Sequence, residues 1–211
     1  MVQKRQATLV RREQIVDAAR KLIIRYGSEH VTVRRIAKQV GISEAAIYRH
    51  FKSKRDILSL LVDHIDDDFL RDFTTVGTQG RTPLEVLDSV LKGHLSAVER
   101  RRGISFQVFA EIISLGDKKL NRRVSETIDK YIGCLKGILS EGIRTGEVRE
   151  DIDLEATGTI IFGTIQGLVN IWALSNYSFN PQERFEPLWN VLRDTIAKRR
   201  TCTPSGVAGQ C

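Results

Sequence analysis

The 211-residue chain reads as an all-α protein of about nine helices. Three observations carry that expectation. Apolar residues recur every three or four positions over long runs, no stretch alternates apolar and polar residues as a half-buried strand does, and there are only four prolines to interrupt helices. The length is that of one large or two small domains and suffices to bury a substantial core.

The helices mark their own ends. The first spans 8–26, with Ile15, Ala18, Ala19, Leu22, Ile23 and Tyr26 on one face, Arg11, Arg12, Arg20 and Lys21 on the other, and Gly27 as its stop. Thr32 caps a second helix and Ser43 a third, while Ser53-Lys54-Arg55-Asp56 resembles a capping box that opens a fourth, running through Ile57, Leu58, Leu61, Val62 and Ile65 toward Phe73. Residues 75–81, with Gly77 and Gly80, read as a loop. Thr82-Pro83-Leu84-Glu85 combines a cap, a proline in the first turn and an acid, and starts a helix that reaches about Arg100. Three more follow over 102–115, 117–145 and 153–176, and Asn180-Pro181-Gln182-Glu183 opens the last, to Lys198. The remainder, 201–211, has no periodicity and reads as a disordered tail.

Residues 153–176 are nearly apolar all round, and Gly163 and Gly167 form the G-x-x-x-G spacing that pairs helices in lipid. Asp153, Glu155, Thr157, Thr159, Thr164, Gln166 and Asn170 interrupt the run, so a helix inside a soluble bundle or dimer interface is expected and no membrane partner.

Charge is distributed unevenly. The whole chain carries 33 Lys and Arg against 26 Asp and Glu, but residues 1–60 hold 14 against 5, so the rest is slightly acidic. The basic excess sits where residues 32–54 form two short helical patterns joined by a glycine turn. Ala37 permits close helix approach, Gly41 can take the positive φ of a tight turn, and Ile47 reaches back between the helices. Ser43 as N-cap leaves Glu44, Ala45 and Ala46 as an exposed first turn, and Tyr48, Arg49 and His50 follow as a donor-rich cluster. Helix-turn-helix spacing combined with local positive charge points to double-stranded DNA as the partner.

The residues exclude other classes. There is no nucleophile elbow, phosphate loop or His-Glu-x-x-His, so neither an enzyme nor a cofactor or metal site is expected. Cys134, Cys202 and Cys211 are odd in number and unpatterned, which fits reduced thiols. The charged N-terminus lacks an apolar signal core, and a cytoplasmic location is expected.

Ile15, Ala18, Ala19, Leu22 and Gly27, then Val33, Ile36, Ala37, Gly41, Ile42 and Ser43, then Ile47, Tyr48, His50, Phe51, Ser53, Lys54 and Leu58 carry a resemblance over Arg11 to Leu61. They resemble the DNA-binding domain of the TetR family, the tetracycline-repressor-like bacterial transcriptional regulators. The resemblance implies a nine-helix homodimer and, here, a helix-turn-helix domain over 1–54 followed by a ligand-binding and dimerisation domain over 55–200. It places Tyr48, His50 and Lys54 on phosphates, Thr32 and Arg34 on the far side of the groove, and Ser43, Glu44, Ala45 and Ala46 in the base-reading turn. Arg49 is a further candidate for guanine or phosphate. Lys4, Arg5, Arg11 and Arg12 read either as a DNA-touching arm or as a solvated segment.

The dimer is expected from the last two helices, through Ile160, Ile161, Gly163, Gly167 and Leu168 on one and Phe185, Leu188, Trp189, Leu192 and Ile196 on the other. A family-like effector pocket implies Phe69, His94, Phe106, Phe109, Ile113, Gln166, Asn170 and Trp172 as lining for a small, largely apolar molecule. The expected function is a repressor of a palindromic operator, released by that effector. An effector-independent nucleoid- or division-associated DNA binder of the same fold, or an activator, stays open beside it.

Overall fold

The computed structural model describes residues 2–27 and 31–198, with side chains from Thr8 onward except Leu9. The expected tail, with Cys202 and Cys211, lies outside them, as do the side chains of Lys4 and Arg5. Among the described residues there are nine helices: α1 (Val2–Tyr26), α2 (Val33–Val40), α3 (Glu44–Tyr48), α4 (Lys54–Thr74), α5 (Pro83–Arg100), α6 (Ile104–Leu115), α7 (Lys118–Arg144), α8 (Leu154–Leu174) and α9 (Pro181–Ile196).

Several boundaries differ from expectation, each for a local reason. The backbone is already helical at Val2, since nothing in Val2–Ala7 is a glycine or proline that would stop α1 from extending upstream. α3 has only five helical residues and closes in a tight turn, His50 N donating to Ile47 O at 2.8 Å. α6 starts at Ile104 because Arg102 (φ 49°) and Gly103 (φ 63°) both take left-handed backbone after α5. α9 ends at Ile196, where the chain turns into an antiparallel bridge between Val148 and Ala197, flanked by Arg149 N to Ile196 O at 2.9 Å and Lys198 N to Glu147 O at 2.8 Å.

The caps follow the sequence at α5, where Thr82 N donates to Glu85 Oε2 at 2.9 Å and Glu85 N to Thr82 Oγ1 at 3.4 Å. They depart from it at α4. Ser53 makes no side-chain cap, and Asp56 Oδ2 instead accepts from Lys52 N at 2.7 Å, which secures the turn one residue earlier.

One hydrophobic cluster runs through the chain from Ile15 to Ile196. α4 is its spine: it buries Ile57, Leu58, Leu61, Val62, Ile65 and Phe69 and packs on α1, α5, α6 and α7. Its polar side is tied down as well, by Arg123 to Asp63 and Ser59, by Lys130 to Asp66 at 2.6 Å and by Arg55 to Asp117 at 2.8 Å.

α8 is long and apolar enough to cross a membrane by length and composition alone. Within the fold it buries one stripe, Gly158, Ile161, Phe162, Ile165, Leu168, Val169 and Trp172. Gly158 belongs there because a Cβ would come 3.0 Å from Ile132 Cγ2 of α7. The opposite stripe is open: Ile160 and Ile171 are each 54% exposed and Leu174 84%, beside Leu188 at 40% and Val191 at 66% on α9. Of the residues expected at a dimer interface, Ile161, Leu168, Phe185, Trp189 and Ile196 are therefore spent on the chain's own core, while Ile160, Gly163 and Leu188 face outward.

Candidate functional site

The helix-turn-helix is built from the interactions its spacing anticipates. Thr32 Oγ1 accepts from Arg35 N at 3.2 Å, and Gly41 closes α2 with φ 74°, ψ 34°, its turn secured by Ile42 N to Ala37 O at 3.0 Å. Ile36, Ala37 and Ile47 are buried together in the core. Ser43 Oγ accepts from Ala46 N at 3.2 Å, so α3 begins with Glu44 and Ala45 exposed and Ala46 half-buried, while Ile47 anchors its inner side. The result is a short rigid turn presented outward.

The donor cluster sits at the other end of that helix. Tyr48 is 51% exposed and Arg49 is also on the surface, on the same short element as the reading turn. His50 is half-buried, and Arg12 of α1 holds the backbone beneath it, Nη1 donating to His50 O at 2.9 Å with its guanidinium 4.6 Å from the Phe51 ring centre. Burial lowers the His50 pKa, and Arg11, Arg12 and Arg49 lower it further, so the ring lies in a strongly positive field. Arg11 and Arg12 thus lie within α1, and Arg12 braces the turn that follows α3. Thr32, Arg34 and Arg35 are exposed at the start of α2. Lys54 lies at the start of α4, its Nζ 2.7 Å from Glu111 Oε1 of α6.

The expected effector residues divide into two groups. Phe69, His94 and Phe109 come together, with ring centres 5.2 Å apart for Phe69 and His94 and 6.4 Å for Phe69 and Phe109. Trp172 packs elsewhere, against Tyr177 at 4.8 Å, and Phe106, Gln166 and Asn170 are half-buried on α6 and α8. Ile113 lies on the outer side of α6, 68% exposed and outside the cluster, because the buried stripe of that helix passes through Val108, Phe109 and Ile112.

Sequence reasoning missed the residues that complete the cluster. Tyr131 of α7 lies 5.0 Å from Phe69, 4.9 Å from Phe73, 5.1 Å from His94 and 5.6 Å from Phe162, ring centre to ring centre. Asp72 Oδ2 holds His94 Nδ1 at 2.7 Å, nearly sealed from solvent, and Asp68 takes both Arg101 nitrogens at 3.0 and 2.9 Å. The signal was present: Tyr131 falls in the buried series Val124, Thr127, Tyr131, Leu135 of α7, and Asp68 and Asp72 flank Phe69 on α4. Phe69, Asp72, His94, Arg101 and Ser105 line a narrow cleft of about 20 Å³, room for about one water. A groove of about 650 Å³ opens nearby between α4, α5 and α7, its apolar wall made by Phe73, Pro83, Val86, Cys134 and Ile138 and its polar rim by Thr78, Arg81, Glu141 and Thr145. Burial pushes the Cys134 thiol pKa up.

A family model described as "Bacterial regulatory proteins, tetR family" matches residues 15–61, and one described as "YsiA-like protein, C-terminal region" matches 58–195. The chain belongs to the tetR family. Among its relatives is the fatty acid metabolism regulator protein of Bacillus subtilis, 31% identical over 167 residues, covering 79% of this chain and 86% of the relative. The nucleoid occlusion factor SlmA of Photobacterium profundum is 28% identical over 184 residues, covering 86% of this chain and 93% of that protein. The crystal structure of the transcriptional regulator FadR from Bacillus subtilis in complex with stearoyl-CoA superposes with a TM-score of 0.72 at 30% identity, covering 86% of this chain and 95% of that one. The present protein is accordingly a DNA-binding transcriptional regulator, and its relatives are regulators and not enzymes.

Proposed function

We propose that this regulator acts in the cytoplasm as a homodimeric repressor that grips a palindromic operator and releases it on binding a long-chain acyl thioester. The observation that carries the DNA half is the capped first turn of α3, with Glu44 and Ala45 exposed above a fully buried Ile47. In this reading Ser43, Glu44, Ala45 and Ala46 meet base edges, Tyr48, Arg49, His50 and Lys54 meet phosphates, and Thr32 and Arg34 reach the backbone across the groove. Residues 1–54 form the reading unit and 55–200 the effector and dimer unit, with α4 shared in packing.

Two half-sites require two copies, and the open stripe of Ile160, Gly163, Ile171 and Leu174 on α8 with Leu188 and Val191 on α9 offers an apolar face to a second chain. The acyl thioester comes from the stearoyl-CoA bound by the Bacillus subtilis FadR relative, and the groove of about 650 Å³ beside the aromatic cluster supports it. Such a ligand releases DNA only if it binds a conformation in which the recognition helices no longer match adjacent grooves.

The test is selection of bound DNA from a random library, followed by gel shift of the selected operator with and without stearoyl-CoA. A palindromic consensus whose complex dissociates on adding the thioester is expected, with dimer mass in sedimentation. A stable monomer, or a complex indifferent to every acyl thioester, overturns the corresponding part. The second outcome favours the other reading, an effector-independent DNA binder, for which the 28% identity to a nucleoid occlusion factor speaks.

A further inference from the structure

Tyr131 has no part in the roles described so far, yet it occupies the centre of the aromatic cluster. It is 1% exposed, and its hydroxyl is enclosed without a hydrogen-bond partner. A buried hydroxyl left unpaired opposes folding, and phenylalanine would fill the same space without that cost. Four rings pack around it, those of Phe69, Phe73, His94 and Phe162. Phe69 and His94 line the narrow cleft and Phe73 lines the large groove, so Tyr131 touches the walls of both. The groove has the volume of a ligand site and the cleft does not.

The chemistry of the missing partner can be read from the surroundings. Burial, and after it the charge of Asp72, hold the phenol pKa well above its ordinary value, so the hydroxyl is a donor and needs an acceptor. The nearby Asp72 carboxylate disfavours a second anion beside it, which selects a neutral oxygen over a carboxylate. The rings and the apolar side of the groove, at Phe73, Val86 and Ile138, favour a hydrocarbon chain attached to that oxygen.

We propose that Tyr131 is the specificity-determining donor of the effector site, its hydroxyl bonding the neutral carbonyl oxygen of an acyl thioester whose chain lies in the groove between α4, α5 and α7. The rings of Phe73 and Tyr131 separate to admit it. This rests on the acyl thioester reading above and adds the residue that distinguishes a thioester from ligands lacking the carbonyl.

The experiment uses three probes, dodecanoyl-CoA, its thioether analogue S-dodecyl-CoA, and dodecanoate, measured by calorimetry on the full chain and on Tyr131→Phe. The wild type should bind the thioester about tenfold more tightly than the thioether, the worth of one neutral hydrogen bond. Dodecanoate should be the weakest. Tyr131→Phe should bind thioester and thioether equally, at the wild-type thioether affinity, with a melting temperature equal to or above wild type. Equal binding of thioester and thioether by the wild type, or a preference that survives in Tyr131→Phe, overturns the proposal while leaving the acyl thioester reading intact. So does a Tyr131→Phe melting point several degrees lower with the preference unchanged, which would assign the hydroxyl to an internal water. If the wild type binds no acyl thioester, the effector reading itself falls and this inference with it.

Discussion

Lys54, the first residue of α4, is held by Glu111 of α6 at 2.7 Å. The ammonium proposed to meet a phosphate thus already shares a carboxylate with the helix that carries Phe109 into the aromatic cluster. Lys54→Ala should weaken all operator sequences alike and lower the slope of log affinity against log salt by about one. Glu111→Gln should act in the opposite direction, tightening binding by a few-fold at low salt. Fluorescence anisotropy across a salt series reads both, and an unchanged slope in Lys54→Ala would remove the phosphate assignment.

Sequence preference should reside in the exposed turn. Ala45 has no side chain long enough to hydrogen-bond a base, so Ala45→Gln should create a new preference, of about 1–3 kcal/mol for one base pair, where the parent shows at most a methyl contact. Tyr48→Ala should weaken all sequences without altering the consensus. Repeating the library selection on both variants separates the two effects.

The helix-turn-helix geometry was legible because it depends on local spacing. Ser43, Gly41 and Ala37 announce a capped turn wherever they fall in a chain, since cap and φ > 0 are decided within four residues. The aromatic cluster was only half legible. Phe69 and His94 are 25 positions apart and Tyr131 is 37 further on, so their meeting depends on how α4, α5 and α7 pack, which no local period encodes. Ile113 was misplaced for the same reason: its helix is apolar on both sides, and only tertiary contact decides which side is covered. The two outermost faces of α8 were likewise indistinguishable until α7 and α9 took one of them.

If His50 meets a phosphate as proposed, operator binding should depend on pH. Its pKa is lowered from 6.5 by burial and by three arginines, so below about pH 6.5 the unfolded chain binds more protons than the folded one, and stability falls as the pH drops through that window to the folded value. A phosphate beside the ring has the reverse effect, raising the pKa and drawing a proton into the complex. Operator affinity should therefore rise as the pH falls from about 8 to about 6, relative to a His50→Gln variant. Parallel titrations of the two proteins at fixed ionic strength would refute this if their curves coincide.

Gly142 should tolerate nothing larger. A Cβ there would lie 2.5 Å from Val148 Cγ2 and 3.2 Å from its Cβ, where Val148 is pinned by the bridge to Ala197. Gly142→Ala is expected to cost about 1–3 kcal/mol. Gly133, nine residues earlier on the same helix, has nothing within 4 Å of the same position, and Gly133→Ala should gain about 0.5–1 kcal/mol. Chemical denaturation of the pair tests both signs in one helix.

The hydrophobic cluster that runs unbroken from Ile15 to Ile196 has a thermodynamic corollary. α1 leans on α4 and α6 for its cover, so a fragment ending before α4 would lose two of the surfaces against which the reading head is folded. Heat should therefore melt the chain in a single calorimetric transition, with amides of α1 exchanging in step with those of α7. A molecule seated among the rings around Tyr131 of α7 would then be felt as slower amide exchange at the groove-reading end, even where it moves no atom there.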